Sequence, residues 1–232
     1  MKLRTLALLT ALLAASGINA LAIPLSGNVV AVAELQPGTS MNDADVWGGT
    51  PENQSVSVTQ TSGNSWISSS ASTSNVAADG SSGEFALSAA WDLAPGTTMA
   101  SAEGTYWRYA FIADATGDFV LDYTLSLSGR ETFGLNGFYL SSNFGSAFFS
   151  SGNTSGQYVG SVTAGNLYNV YMYANANLNG VNLSGFSGQM DGQFSWSLTP
   201  GQSVPDSASS AVLLSLSLLG LAAVRRRFVS RS

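Results

Sequence analysis

Apolar and polar residues alternate in short bursts through the middle of the chain. In "DFVLDYTLSLS", Phe119, Leu121, Tyr123, Leu125 and Leu127 fall on one face, and Asp118, Asp122, Thr124, Ser126 and Ser128 fall mostly on the other. A period of two predicts a strand with one buried face. The preceding "TYWRYAFIA" sets Trp107, Tyr109 and Phe111 together in the same way. The link "DATGD" supplies turn residues, with Gly117 free to take a positive φ, so the two segments are expected to form a β-hairpin. "GEFALSAAW", "TTMASA", "NGFYLSS", "GQYVGSV", "NLYNVYMYANA" and "GQFSWSLTP" read as further short strands, and Phe194, Trp196 and Leu198 share a face in the last. About eight strands separated by Gly, Asn and Ser turns predict an all-β fold: a single antiparallel β-sandwich or jelly-roll-like domain. No segment between the two ends sustains a helical period.

The pattern is weaker before Gly83. Residues 39–82 are rich in Ser, Asn, Thr and Gly, with "VSVT" and "SWIS" as the only extended candidates. The chain therefore divides into residues 1–22, an N-terminal part of the ectodomain at 23–82, a sandwich core at 83–200, and a distinct segment at 201–232. The first and last are helical and apolar. "MKLRTLALLTALLAASGINALA" has Lys2 and Arg4, an apolar stretch, and the small-residue triplet ending Ala20, Leu21, Ala22. That is the layout of a secretory signal peptide, with Ala20 and Ala22 marking an A-x-A cleavage site and the mature chain beginning near Ile23.

At the other end Ala211 to Val224 is apolar and is followed by Arg225, Arg226 and Arg227. As a helix it spans about 21 Å, or about 25 Å counted from Ala208, against a hydrocarbon core of roughly 30 Å. It is expected to hold the exported chain in the inner membrane transiently, with the arginines at the cytoplasmic face. Pro205 keeps the preceding residues extended, because it cannot continue a helix backwards. Taken together, "VPDSASSAVLLSLSLLGLAAVRRRF" resembles the C-terminal sorting signal of the PEP-CTERM class, closest to its VPDSG variant. Val204, Pro205, Asp206 and Ser207 match the motif, and Ala208 stands where the variant has glycine. The resemblance implies that an exosortase-type membrane transpeptidase recognises the motif and cleaves near it. It also implies a Gram-negative bacterium that makes exopolysaccharide and biofilm matrix, and a final location at the cell surface or outside the cell.

Composition narrows the chemistry. Histidine and cysteine are absent, which removes imidazole bases, thiol nucleophiles, disulfides and Cys or His metal sites. Six of the eight basic residues lie in the terminal segments, leaving Arg108 and Arg130 inside, while the acids between those segments run from Glu34 to Asp191. Such a region repels phosphate backbones, so nucleic acid is not an expected partner. A Ser-Lys hydrolase lacks its lysine and a triad lacks its histidine. A glycosidase needs only two carboxylates roughly 5 to 9.5 Å apart. The acids here lie mainly in turns or on outward strand faces, however, and solubility accounts for them. The protein is expected not to be an enzyme and to need no cofactor.

Three sets of residues remain as binding candidates. Asp114, Asp118 and Asp122 fall within one predicted hairpin and offer oxygen ligands to Ca2+, although turn chemistry explains the same residues. Asn42, Asp43 and Asp45 make a similar offer. Trp47, Trp66 and Trp91 fall in or beside loop-like stretches, where exposed rings could stack on glycan, or pack against a sheet. Trp107 and Trp196 belong to core strands. Tyr171 and Tyr173 alternate with Val170 and Met172, so one of the two sets faces outward unless both faces are covered. Arg108 and Arg130 are expected to pair with neighbouring acids. The leading expectation is a non-enzymatic surface or matrix protein associated with exopolysaccharide; the alternative is a carbohydrate-binding module, with or without calcium.

Overall fold

The computed structural model describes residues 21–35, 40–97, 99–129, 137–150, 154–178 and 185–201. The chain divides into two units, Met1–Thr199 and Pro200–Ser232. The described residues form thirteen strands and no helix: β1 (Ala22–Leu35), β2 (Ser40–Gly48), β3 (Gln54–Ser62), β4 (Ser65–Ser74), β5 (Ser82–Leu93), β6 (Ala100–Ser101), β7 (Thr105–Ala113), β8 (Gly117–Ser128), β9 (Gly137–Ser142), β10 (Gly145–Ser150), β11 (Thr154–Val162), β12 (Leu167–Asn175) and β13 (Phe186–Pro200). One sheet has the order β10-β9-β12-β7-β1-β2, with β6 against β1; the second has the order β11-β8-β13-β5-β4-β3. The strands pair antiparallel, and the apolar faces of the two sheets form one core. The expected all-β antiparallel sandwich is the fold. The segments expected to form the two terminal helices, and with them Ala20, Val204 to Ser207 and Arg225 to Arg227, lie outside the described residues.

Residues before Gly83 contribute four full strands. β1 lies between β7 and the edge strand β2 and buries Val29, Ala31, Ala33 and Leu35. In β3 and β4, Val56, Val58, Ile67 and Ala71 point inward between serines and threonines. The period is hidden because several inward positions are small and polar. Ser69 is buried and donates to the Val32 carbonyl at 2.7 Å, and buried Ser65 shares a 2.8 Å hydrogen bond with Thr97. A satisfied buried hydroxyl costs little, so serine serves as a core residue here.

The predicted hairpin is not one. β7 belongs to the first sheet and β8 to the second, so the Asp114–Thr116 link carries the chain across the sandwich. Phe111 and Phe119 stack from opposite sheets, with ring centroids 6.2 Å apart. Both strands carry an aromatic face, and facing each other buries both. The turn residues of "DATGD" are common to either connection.

An aromatic column fills the centre. Phe85 lies parallel to Trp107 at 4.1 Å and stacks on Phe194 at 4.6 Å, while Trp107 meets Trp196 at 5.0 Å. Such pairs contribute about 0.5–1.5 kcal/mol each beyond the area they bury. Tyr109 is buried too, and its hydroxyl donates to the Gly80 carbonyl at 3.0 Å. Burial, with the nearby Asp79 charge adding to it, pushes its ionisation far above the ordinary phenol range.

Candidate functional site

The residues nominated as a glycan platform do not form one. Trp47 is buried in β2, lying across Gly27, where any side chain would collide with its ring. Trp91 is buried in β5 against Gly188 of β13 in the same manner. Trp91 continues the inward phase of its strand after Phe85, Leu87 and Ala89, whereas Trp47 is the one buried residue of β2, turned inward opposite Gly27. Trp66 alone is exposed, facing outward from β4 opposite Asp92 and Thr61.

The aspartates do not converge either. Asp118 and Asp122 both lie on β8, four residues apart, which along a strand is about 13 Å. Asp118 accepts from the Ser161 hydroxyl at 3.1 Å and Asp122 from the Gln157 amide at 2.8 Å, while Asp114 is exposed in the β7–β8 link. Calcium requires its oxygens within about 2.3–2.6 Å of one point. Among the described residues no group of three or more acids is placed to share a metal ion. Asn42, Asp43 and Asp45 are exposed along β2, and the Asp45 carboxylate accepts from the Val46 backbone N–H at 3.0 Å.

Strand pairing assembles a different cluster on the outer face of the first sheet. In β12, Val170 and Met172 point into the core, so Tyr171 and Tyr173 point out. Beside them on β7, Tyr106 lies opposite Tyr173 and Arg108 opposite Tyr171. On the other flank Tyr139 of β9 lies opposite Tyr173, and Phe148 of β10 opposite Tyr139. The result is one row of rings across four strands: Phe148, Tyr139, Tyr173 and Tyr106. Tyr171 and Tyr173 are nearly parallel at 5.8 Å, Tyr106 lies 5.6 Å from Tyr173 and 6.5 Å from Tyr171, and Tyr139 lies 6.3 Å from Phe148. Tyr139 and Phe148 are 42% and 38% exposed, whereas Tyr106, Tyr171 and Tyr173 are half-buried at their edges.

Polar groups brace these rings. The Arg108 guanidinium lies 5.2 Å from the Tyr171 centroid, a cation–π distance, and donates to the Asn169 side-chain carbonyl at 3.2 Å. No acid reaches Arg108 among the described residues, so its expected ion pair is replaced by a ring and an amide; Arg130 lies outside them. Asn28 donates to the Tyr106 hydroxyl at 2.9 Å. Burial, reinforced by Tyr171 and Tyr106 and opposed by Arg108, raises the Tyr173 phenol above its ordinary range, so it stays a neutral donor. A shallow cavity of about 260 Å³ opens beside the row, lined by Glu103, Gly104, Tyr139, Tyr173, Ala174 and Asn175.

The outer face of the second sheet differs. Glu84 and Asp122 border one open cavity of about 300 Å³ with Gln193 and Ser195. Asn75 donates to Glu84 at 2.6 Å, and the Gln157 bond already ties Asp122. Sequence reasoning saw that Tyr171 and Tyr173 had to resolve to one side. It missed Tyr106, Tyr139 and Phe148, because only strand order sets them beside those two. No curated protein matches the chain in sequence. Residues 203–228 match the VPDSG-CTERM motif model, so the chain carries a PEP-CTERM-like C-terminal sorting signal of an exported protein.

Proposed function

We propose that this is an exported surface or matrix protein of a Gram-negative bacterium. Its signal peptide directs export, and the C-terminal helix with Arg225 to Arg227 holds it briefly in the inner membrane. An exosortase-type transpeptidase then cuts near Val204 to Ser207, and the freed ectodomain associates with exopolysaccharide. The observation that carries the reading is the motif match over residues 203–228. The strand record supports it: the last strand ends at Pro200, so a cut in the motif leaves every described strand whole. The ectodomain acts by binding rather than by chemistry, because the chain has no histidine or cysteine and no lysine beyond Lys2. Glu84 and Asp122 serve as hydrogen-bonded surface carboxylates.

Mass spectrometry of the protein released by the cells that make it tests the processing step. The expected product ends within or next to Val204 to Ser207. A recovered chain still ending in Ser232 overturns the reading.

A further inference from the structure

We infer that the outer face of the first sheet is a binding platform for a polysaccharide of pyranose rings, centred on Tyr106, Tyr139, Tyr171 and Tyr173. This deepens the matrix reading above and rests on it for the biological setting, while the geometry stands by itself. A pyranose presents a face of C–H groups that packs on an aromatic face, and hydroxyls around its edge that need donors and acceptors. The row supplies both. Tyr106 lies 5.6 Å from Tyr173, and Tyr139, paired opposite Tyr173 across β9 and β12, lies 6.3 Å from Phe148; phenol hydroxyls fringe the row. Successive sugars of one chain can therefore meet successive rings.

Three further observations select this ligand. The rings are held in place by Asn28, Arg108 and one another, so little side-chain freedom is lost on binding. The adjoining cavity is open and shallow, which suits a polymer lying across the sheet better than a small molecule enclosed in a pocket. Charge decides between polymers. Thirteen acids face only Arg108 and Arg130 outside the terminal segments, so a polyanion is repelled, and so is a second copy of this chain. A neutral glycan meets no such barrier. Arg108 then acts as a donor to sugar hydroxyls at the edge of the Tyr171 ring.

Affinity electrophoresis of the full chain in mild detergent tests this, using gels that contain exopolysaccharide from the producing cells, hydroxyethylcellulose or alginate. Retardation is expected in a gel holding neutral glycan and weaker retardation in alginate. Tyr171→Ala and Tyr173→Ala should each weaken binding about tenfold, Tyr173→Phe should retain most of it, and Trp66→Ala on the opposite face should change nothing. If an alanine variant lowers the melting temperature, Tyr139→Ser on the exposed part of the row takes its place. The inference is overturned by no retardation in any gel, by retardation that survives all the tyrosine substitutions, or by a loss that coincides with dissociation of a dimer. The C-terminal mass of the same protein keeps the two readings apart: a trimmed chain that does not bind sinks the platform, and a binding chain still ending in Ser232 sinks the processing.

Discussion

Asp191 sits half-buried on β13, paired opposite Ser88, and burial raises its carboxyl above the usual range. A raised acid binds its proton more tightly in the folded chain than in the unfolded one. Its favourable contribution is therefore present at low pH and lost as pH rises through the folded-state value. Asp191→Asn should raise the melting temperature near about pH 7 and have little effect near about pH 3, which thermal melts at the two pH values will read. Asp79 has the opposite sign: the Ser81 hydroxyl and backbone N–H hold it below the usual range, so what it contributes at neutral pH is lost on acidification through that lowered value. The tryptophans differ just as clearly. Trp107, stacked on Phe85 in the core, should cost about 3–5 kcal/mol when changed to alanine. Trp66→Ala should stay within about 0.5 kcal/mol, and denaturant unfolding of both variants checks the contrast. Trp107 is in phase with Tyr109 and Phe111, whereas Trp66 is out of phase with its buried neighbours Ser65 and Ile67. Their burial follows from which face of which sheet the strand presents.

At the scale of elements, strand existence was legible and strand pairing was not. β8 and β13 show their period because most of their apolar and polar residues alternate, whereas β12 reads as a strand without showing which face is inward, since Tyr171 and Tyr173 alternate with Val170 and Met172. β4 hides its period behind inward Ser65 and Ser69, whose partners, Thr97 and the Val32 carbonyl of β1 in the facing sheet, are set by the fold. The β7–β8 link has the composition of a hairpin turn, yet it joins opposite sheets. The start of β1 carries a specific consequence. Leu21 packs against the core and its carbonyl accepts from the Asp114 N–H at 3.2 Å, while Ala22 is buried and pairs with Ala113. Cleavage after Ala22 would remove both. Cleavage after Ala20 keeps them and still leaves a small residue at the cut. N-terminal sequencing of the exported protein should therefore begin at Leu21, two residues before the position the A-x-A triplet suggests; a start at Ile23 would show that the β1 edge is dispensable.

For the whole molecule, processing is also a change of charge. Loss of the tail removes Arg225, Arg226, Arg227 and Arg231, leaving Arg108 and Arg130 against the acids of the ectodomain. The trimmed form should elute later from an anion exchanger than the uncut chain, an independent reading of the same cut. A strongly acidic sandwich with an aromatic outer face is suited to a hydrated neutral glycan and poorly suited to nucleic acid. The sorting signal of an exported protein and the fold class were readable from the linear chain, because a short motif and a period of two are local properties. The binding face was not readable in that way. Tyr106, Tyr139 and Tyr173 are far apart along the chain and become neighbours through the β9-β12-β7 order and its register, while Trp47 is laid over Gly27 of the preceding strand and Trp91 over Gly188 of the distant β13. Ring exposure is a property of paired strands, and no single strand carries it.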